Sequence, residues 1–229
     1  MCTVRALLAN QNQQTLTSLK ANDFFDAVQS SSAALTIHRQ LMISSTAKQD
    51  SSHFLEIVGN SLDQCMLMTA TTDQVCSDND AHIAPLTYIH KDGIPLPPSM
   101  EEDQDMDAAL ATPAVIFNAA LAFHLLAIHE KNQDSLAYLH KAKKLYELAY
   151  DAQDVERPSI LFQFAVINNI AMIDYAIDNL APSRKIFEHM LSVMIAVRDE
   201  RRALPYISHL QIFLGNMHPP SANETAAAA

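Results

Sequence analysis

A chain of 229 residues with 49% hydrophobic and 18% charged side chains can bury a sizeable core and is too apolar for a disordered segment. Its three glycines, Gly59, Gly93 and Gly215, lie far apart, which removes every glycine-rich phosphate loop and leaves little from which to build hairpin turns. A net charge of −11 argues against a general nucleic-acid or anionic-membrane binder, since phosphate affinity comes from Lys and Arg, although a local basic patch stays open.

In chain order, residues 5–19 and 23–41 are predicted as two helices, with Asn22 or Asp23 placed to cap the second. Phe24, Ala27, Val28, Ala34, Leu35 and His38 fall near helical spacing on one face of it. Ser and Thr then cluster, and Gly93 with Pro85, Pro95, Pro97 and Pro98 breaks the periodicity, so residues 43–111 read as an insertion. Short strands are expected within it at 54–58, 64–69 and 86–90. The acidic run at its end (Glu101, Glu102, Asp103, Asp105, Asp107) reads as a solvated face or loop.

Thr112-Pro113 has the form of a helix start, a hydroxyl cap followed by Pro where a missing N–H costs nothing, and predicts a helix to about residue 131. Asp134 or Ser135 caps the next, which carries Leu136, Leu139, Ala142, Leu145, Tyr146 and Ala149 to about residue 152. Pro158 and Pro182 open two more, through about 178 and 198, and a last helix is expected to end near residue 216 before a tail at 218–229. The fold class is therefore all-α, with 1–42 and 112–217 forming one domain around the insertion.

Cys2, Cys65 and Cys76 are scattered and odd in number, as expected of free thiols in a reducing compartment. Residues 4–9 are too short a run for a secretory leader, and no run is read as reaching the roughly 18 to 20 apolar residues of a membrane span. A cytoplasmic or nuclear location is expected.

Small residues recur at fixed spacing. Ile170-Ala171 is followed twelve residues on by Ser183, then by Phe187, Met190 and Leu191. Thr15 is followed at that spacing by Ala27, then by Ser31, Ala34 and Leu35, and Ala119-Ala120 leads to Ala142, Tyr146, Ala149 and Tyr150. This pattern resembles the tetratricopeptide (TPR) repeat, over about 5–41 and 113–198, in a divergent form without Trp and with a long second pair. The resemblance implies an array of antiparallel helix hairpins whose first helices line a groove for a partner peptide or helix.

In peptide-binding members an Asn just before the small pair bonds the ligand backbone or its terminal carboxylate, and Asn118 and Asn169 match that position. Phe117 and Asn168 stand before them, where the carboxylate-clamping subset has basic residues, so that clamp is incomplete. Arg201 and Arg202 are candidates for charge-assisted contact with an acidic partner, and His124 and Tyr175 for groove lining or for the core. His124 and His129, five apart, are out of register for a shared metal, and no cofactor is expected.

With no nucleophile elbow or metal motif, the expected function is a non-catalytic scaffold that binds a protein or peptide in the groove. A structural or regulatory subunit held through the insertion is the alternative, and an α-helical enzyme a more distant one. The segment LTYIHKDGIPLP, apolar and partly extended, is a candidate internal ligand for the groove, and self-association is a further route to filling it.

Overall fold

The structure, a computed structural model, describes residues 2–46, 89–96, 105–130, 133–153 and 160–198. Six helices and no strand occur among them: α1 (Cys2–Lys20), α2 (Phe24–Thr46), α3 (Asp105–Glu130), α4 (Ser135–Asp151), α5 (Ile160–Ala176) and α6 (Leu180–Arg198). The chain divides into two compact units, one of Met1–Asp80 with Lys91–Pro158, the other of Ala81–His90 with Ser159–Ala229.

In the first unit α1 pairs with α2 and α3 with α4, and α3 also packs on α2 and α1. Every side chain from Ala111 to Ile128 is buried. The reason is compositional: a helix apolar on all sides has no face to give to water, while Ala114, Ala119, Ala120, Ala122 and Ala127 let neighbouring backbones come close. Burial of large side chains such as Phe117, Leu121 and Phe123 contributes about 1.5 to 3 kcal/mol each. Contrary to the expectation drawn above, Ala111–Glu130 is long and apolar enough to cross a membrane, and its apolar window is wholly buried in protein. Thr112, Asn118 and His124 interrupt that run without lowering its mean hydropathy enough to disqualify it.

The helix does not begin at Thr112-Pro113. It begins at Asp105 and carries Pro113 inside, where the ring removes the N–H that Ala109 C=O would otherwise accept. Thr112 is turned to another use: its hydroxyl lies 2.9 Å from His38 Nε2 in a buried contact between α3 and α2. Since α2 also runs on to Thr46, the expected insertion at 43–111 is shortened at both ends. The strands expected at 54–58 and 64–69 fall outside the described residues, and of the third only Ile89 and His90 are described, without strand structure. The expected last helix and tail also lie outside them.

In α4 the buried side is Ser135, Leu139, Ala142, Leu145, Tyr146 and Ala149, which adds Ser135 to the expected set and drops Leu136, 47% exposed. Asp134 stands at the cap position with helical φ −81° and ψ −11° and makes no side-chain cap bond. It contributes its carbonyl, which accepts from Tyr138 N–H at 3.0 Å.

The second unit is built on α5 paired with α6. The twelve-residue spacing is a contact here: Ser183 Oγ donates to Ala171 C=O at 2.9 Å, so the helices cross where one residue is small and the other short enough to bond the facing backbone. Phe164, Val166, Ile173, Phe187, Met190 and Met194 fill in around it.

The α1–α2 and α5–α6 turns are the same turn. Asn22 and Asp178 take φ of 58° and 60°, the left-handed conformation that ends a helix. Asp23 N–H then reaches back to Ser18 C=O (2.9 Å) and Asn179 N–H to Asp174 C=O (2.7 Å), while Asn22 and Asp178 N–H bond Leu19 and Tyr175 C=O, both at 3.2 Å. Asp23 also caps α2, its Oδ1 accepting from Asp26 N–H at 3.2 Å.

Candidate functional site

Asn12 on α1, Asn118 on α3, and Asn168 and Asn169 on α5 are each no more than 1% exposed. A primary amide carries two N–H donors and a carbonyl oxygen, and burying one unmatched costs about 1 to 3 kcal/mol, so each must find partners. The partners lie largely on one stretch of chain, residues 89–96, which has no regular secondary structure.

In the first unit Asn118 grips a single residue by both ends of its peptide frame. Ile94 N–H donates to Asn118 Oδ1 at 2.8 Å, and Asn118 Nδ2 donates to Ile94 C=O at 2.8 Å. The second Nδ2 hydrogen goes to Asn12 Oδ1 at 2.8 Å, and Asn12 Nδ2 donates to the same Ile94 carbonyl at 3.1 Å. Only one orientation of the Asn118 amide is possible, because the flipped group would set NH2 against Ile94 N–H and oxygen against two acceptors. The two asparagines thus hold each other in register to receive a main chain.

The second unit repeats the device. His90 N–H donates to Asn169 Oδ1 at 2.9 Å, Asn169 Nδ2 donates to His90 C=O at 3.1 Å, and Asn168 Nδ2 donates to Asn169 Oδ1 at 3.1 Å. Because the bonds go to backbone groups, they hold the main chain itself and not a particular side chain. Lys91 and Asp92, between the two gripped residues, are exposed.

No family model, curated protein or solved structure matches the chain.

Among the other residues singled out from the sequence, Phe117 and His124 are interior groups. Their rings pack on Tyr146 of α4, at centroid separations of 5.4 and 6.0 Å, which braces α3 against its pair. Burial lowers the His124 pKa to about 3, so the ring is neutral, and its Nδ1 has no hydrogen-bond partner. His38 behaves likewise, lowered by burial to about 4, with Nδ1 unpartnered opposite the Thr112 contact. Tyr175 is half-buried on α5, and its carbonyl serves the α5–α6 turn. Arg201 and Arg202 lie outside the described residues.

Sequence reasoning missed Asn12, which sits in the polar run Asn10-Gln11-Asn12-Gln13-Gln14 and reads as solvated surface. The repeat carried the signal: setting Thr15 on Ala171 sets Asn12 on Asn168. A separate cleft of about 430 Å³ lies between α1 and α2, lined by Gln11, Gln14, Ser18, Asp26, Gln29 and Ser30. These residues are all polar, whereas small-molecule sites are usually lined mostly by apolar side chains.

Proposed function

We propose that this protein is a non-catalytic interaction scaffold that holds an extended peptide by its main chain. In the first unit Asn118, oriented by Asn12, grips one residue of such a segment, and in the second unit Asn169, oriented by Asn168, does the same. The observation that carries the reading is the double bond pattern on Ile94 and His90: in both places one buried amide satisfies the N–H and the C=O of the same residue. The resemblance to TPR repeats points the same way, since it set Asn118 and Asn169 on positions used for a ligand backbone.

The test is a peptide library displayed to the full chain, with binders re-measured on Asn118→Ala and Asn169→Ala. Loss of about ten-fold or more in affinity is expected on removing either amide, the cost of leaving ligand N–H and C=O groups unpaired in a dry site. Binders that hold equally well to both variants would sink the reading.

A second reading has an observation of its own, because the residues gripped belong to this chain. The asparagines then fasten residues 89–96, and the protein serves as a structural or regulatory subunit. In that case both Asn variants lose thermal stability while a partner isolated with the wild-type protein is retained.

A further inference from the structure

Gly93 precedes the residue held by Asn118, and its backbone does not need glycine, since no described glycine has positive φ. Space is what requires it. A Cβ at this position would overlap Leu16 Cδ2, stand 3.2 Å from Asn118 Oδ1 and 3.6 Å from Leu19 Cδ1. Leu19 stays at ordinary contact distance, but the other two cannot withdraw freely. Leu16 and Leu19 are buried on α1, and Asn118 Oδ1 is held at 2.8 Å by Ile94 N–H, so retreat would break the grip itself. Glycine is the residue that lets a backbone come this close to its neighbours.

We propose that the Asn12–Asn118 pair is a glycine-selective subsite. It accepts an extended segment only where glycine comes immediately before the gripped residue, and Gly93-Ile94 is its resident occupant, which a partner segment of the same pattern must displace. Leu16 is the wall that sets the selectivity; the asparagines supply the grip. The proposal rests on reading Asn12 and Asn118 as a peptide site. Tethering gives the resident segment an effective concentration of about millimolar, so a competitor in solution binds the wild-type protein weakly.

The test uses the full chain, wild type and Gly93→Ala, with two labelled synthetic peptides: residues 86–98 of this sequence, and the same peptide with alanine for its glycine. In the variant, the Ile94 amide is expected to exchange with solvent about ten-fold faster, and the glycine peptide to bind about ten-fold tighter than it does to the wild type. On that variant the alanine peptide is expected to bind about ten-fold more weakly than the glycine peptide, and adding Leu16→Ala, which opens the wall, to bring the two within about three-fold.

Equal binding of the two peptides to Gly93→Ala overturns the glycine selectivity and leaves the asparagine grip standing. Absence of binding by either peptide to either protein, with Ile94 exchange accelerated, overturns the peptide-site reading and this proposal with it. Unchanged exchange at Ile94 overturns the selectivity directly, because the resident chain would then tolerate the added methyl.

Discussion

A buried asparagine is stable only while both ends of its amide are matched, and Asn118 leaves little slack. Replacing it with alanine removes three hydrogen bonds and strands Ile94 N–H and Asn12 Oδ1, a loss of about 2 to 4 kcal/mol in urea unfolding. Asn118→Asp is expected to cost more at neutral pH, since a carboxylate sets oxygen against the Ile94 carbonyl and Asn12 Oδ1. Below pH 5 the protonated carboxyl can donate once, and the gap between the two variants should narrow. A fastening role that used only shape would give both variants the same loss at every pH.

The buried histidines make a different prediction. Burial holds His38 near 4 and His124 near 3, against about 6.5 for the unfolded chain. Between these values the unfolded chain binds protons that the folded one refuses, so their contribution is complete above pH 6.5 and is lost as the pH falls below it. Each contributes a slope approaching about 1.4 kcal/mol per pH unit. Urea midpoints at pH 7.5, 6.5 and 5.5 should therefore decline chiefly over the last step, and His124→Phe should remove about half of that decline. An identical decline in the variant would refute the assignment.

At the scale of elements, two turns in the left-handed conformation carry side chains that strain it. Asp178→Gly is expected to raise the stability of the second unit by up to about 1 kcal/mol, and Asn22→Gly by less, because asparagine tolerates positive φ better. Hydrogen exchange along α5 and α6 reports the first; a drop in protection would count against it. These turns also show what was legible in the sequence. A cap at Asn22 or Asp23 was readable from their side-chain oxygens; the structure gives the cap bond to Asp23, while Asn22, a residue type that tolerates positive φ, ends α1 in the left-handed conformation.

The α3 start was misread for a physical reason. Thr-Pro satisfies the local rules for a first turn, yet nothing local shows that His38, 74 residues away, takes the Thr112 hydroxyl. The buried face of α4 was readable because one side only is apolar, whereas α3 has no such contrast and its burial had to come from tertiary packing. For the site, the small pair beside Asn118 and Asn169 marked those residues; Asn12 was hidden by polar neighbours that resemble it in composition and differ only in where they face.

At the scale of the whole molecule, residues 89–96 join the two units through the chain itself, with His90 gripped in one and Ile94 in the other. Lys91 between them is exposed, yet a protease needs several residues of free chain on each side of the bond it cuts. Limited trypsin digestion should therefore spare the Lys91–Asp92 bond in the wild type and open it in an Asn118→Ala/Asn169→Ala variant, read as the fragment ending at Lys91. Cleavage at equal rates would show that the amides do not restrain the segment.

The interleaving of the units bears on the order in which a ribosome can finish them. His90 is made 79 residues before Asn169, while Ile94 waits only 24 residues for Asn118. At about 5 to 20 residues per second the first delay is roughly 4 to 16 s and the second about 1 to 5 s. The nascent chain can thus lock Ile94 to a helix already packing on α1 and α2, while His90 remains without its asparagine until α5 is translated. A pause in synthesis after residue 158 would hold the protein in that half-fastened form.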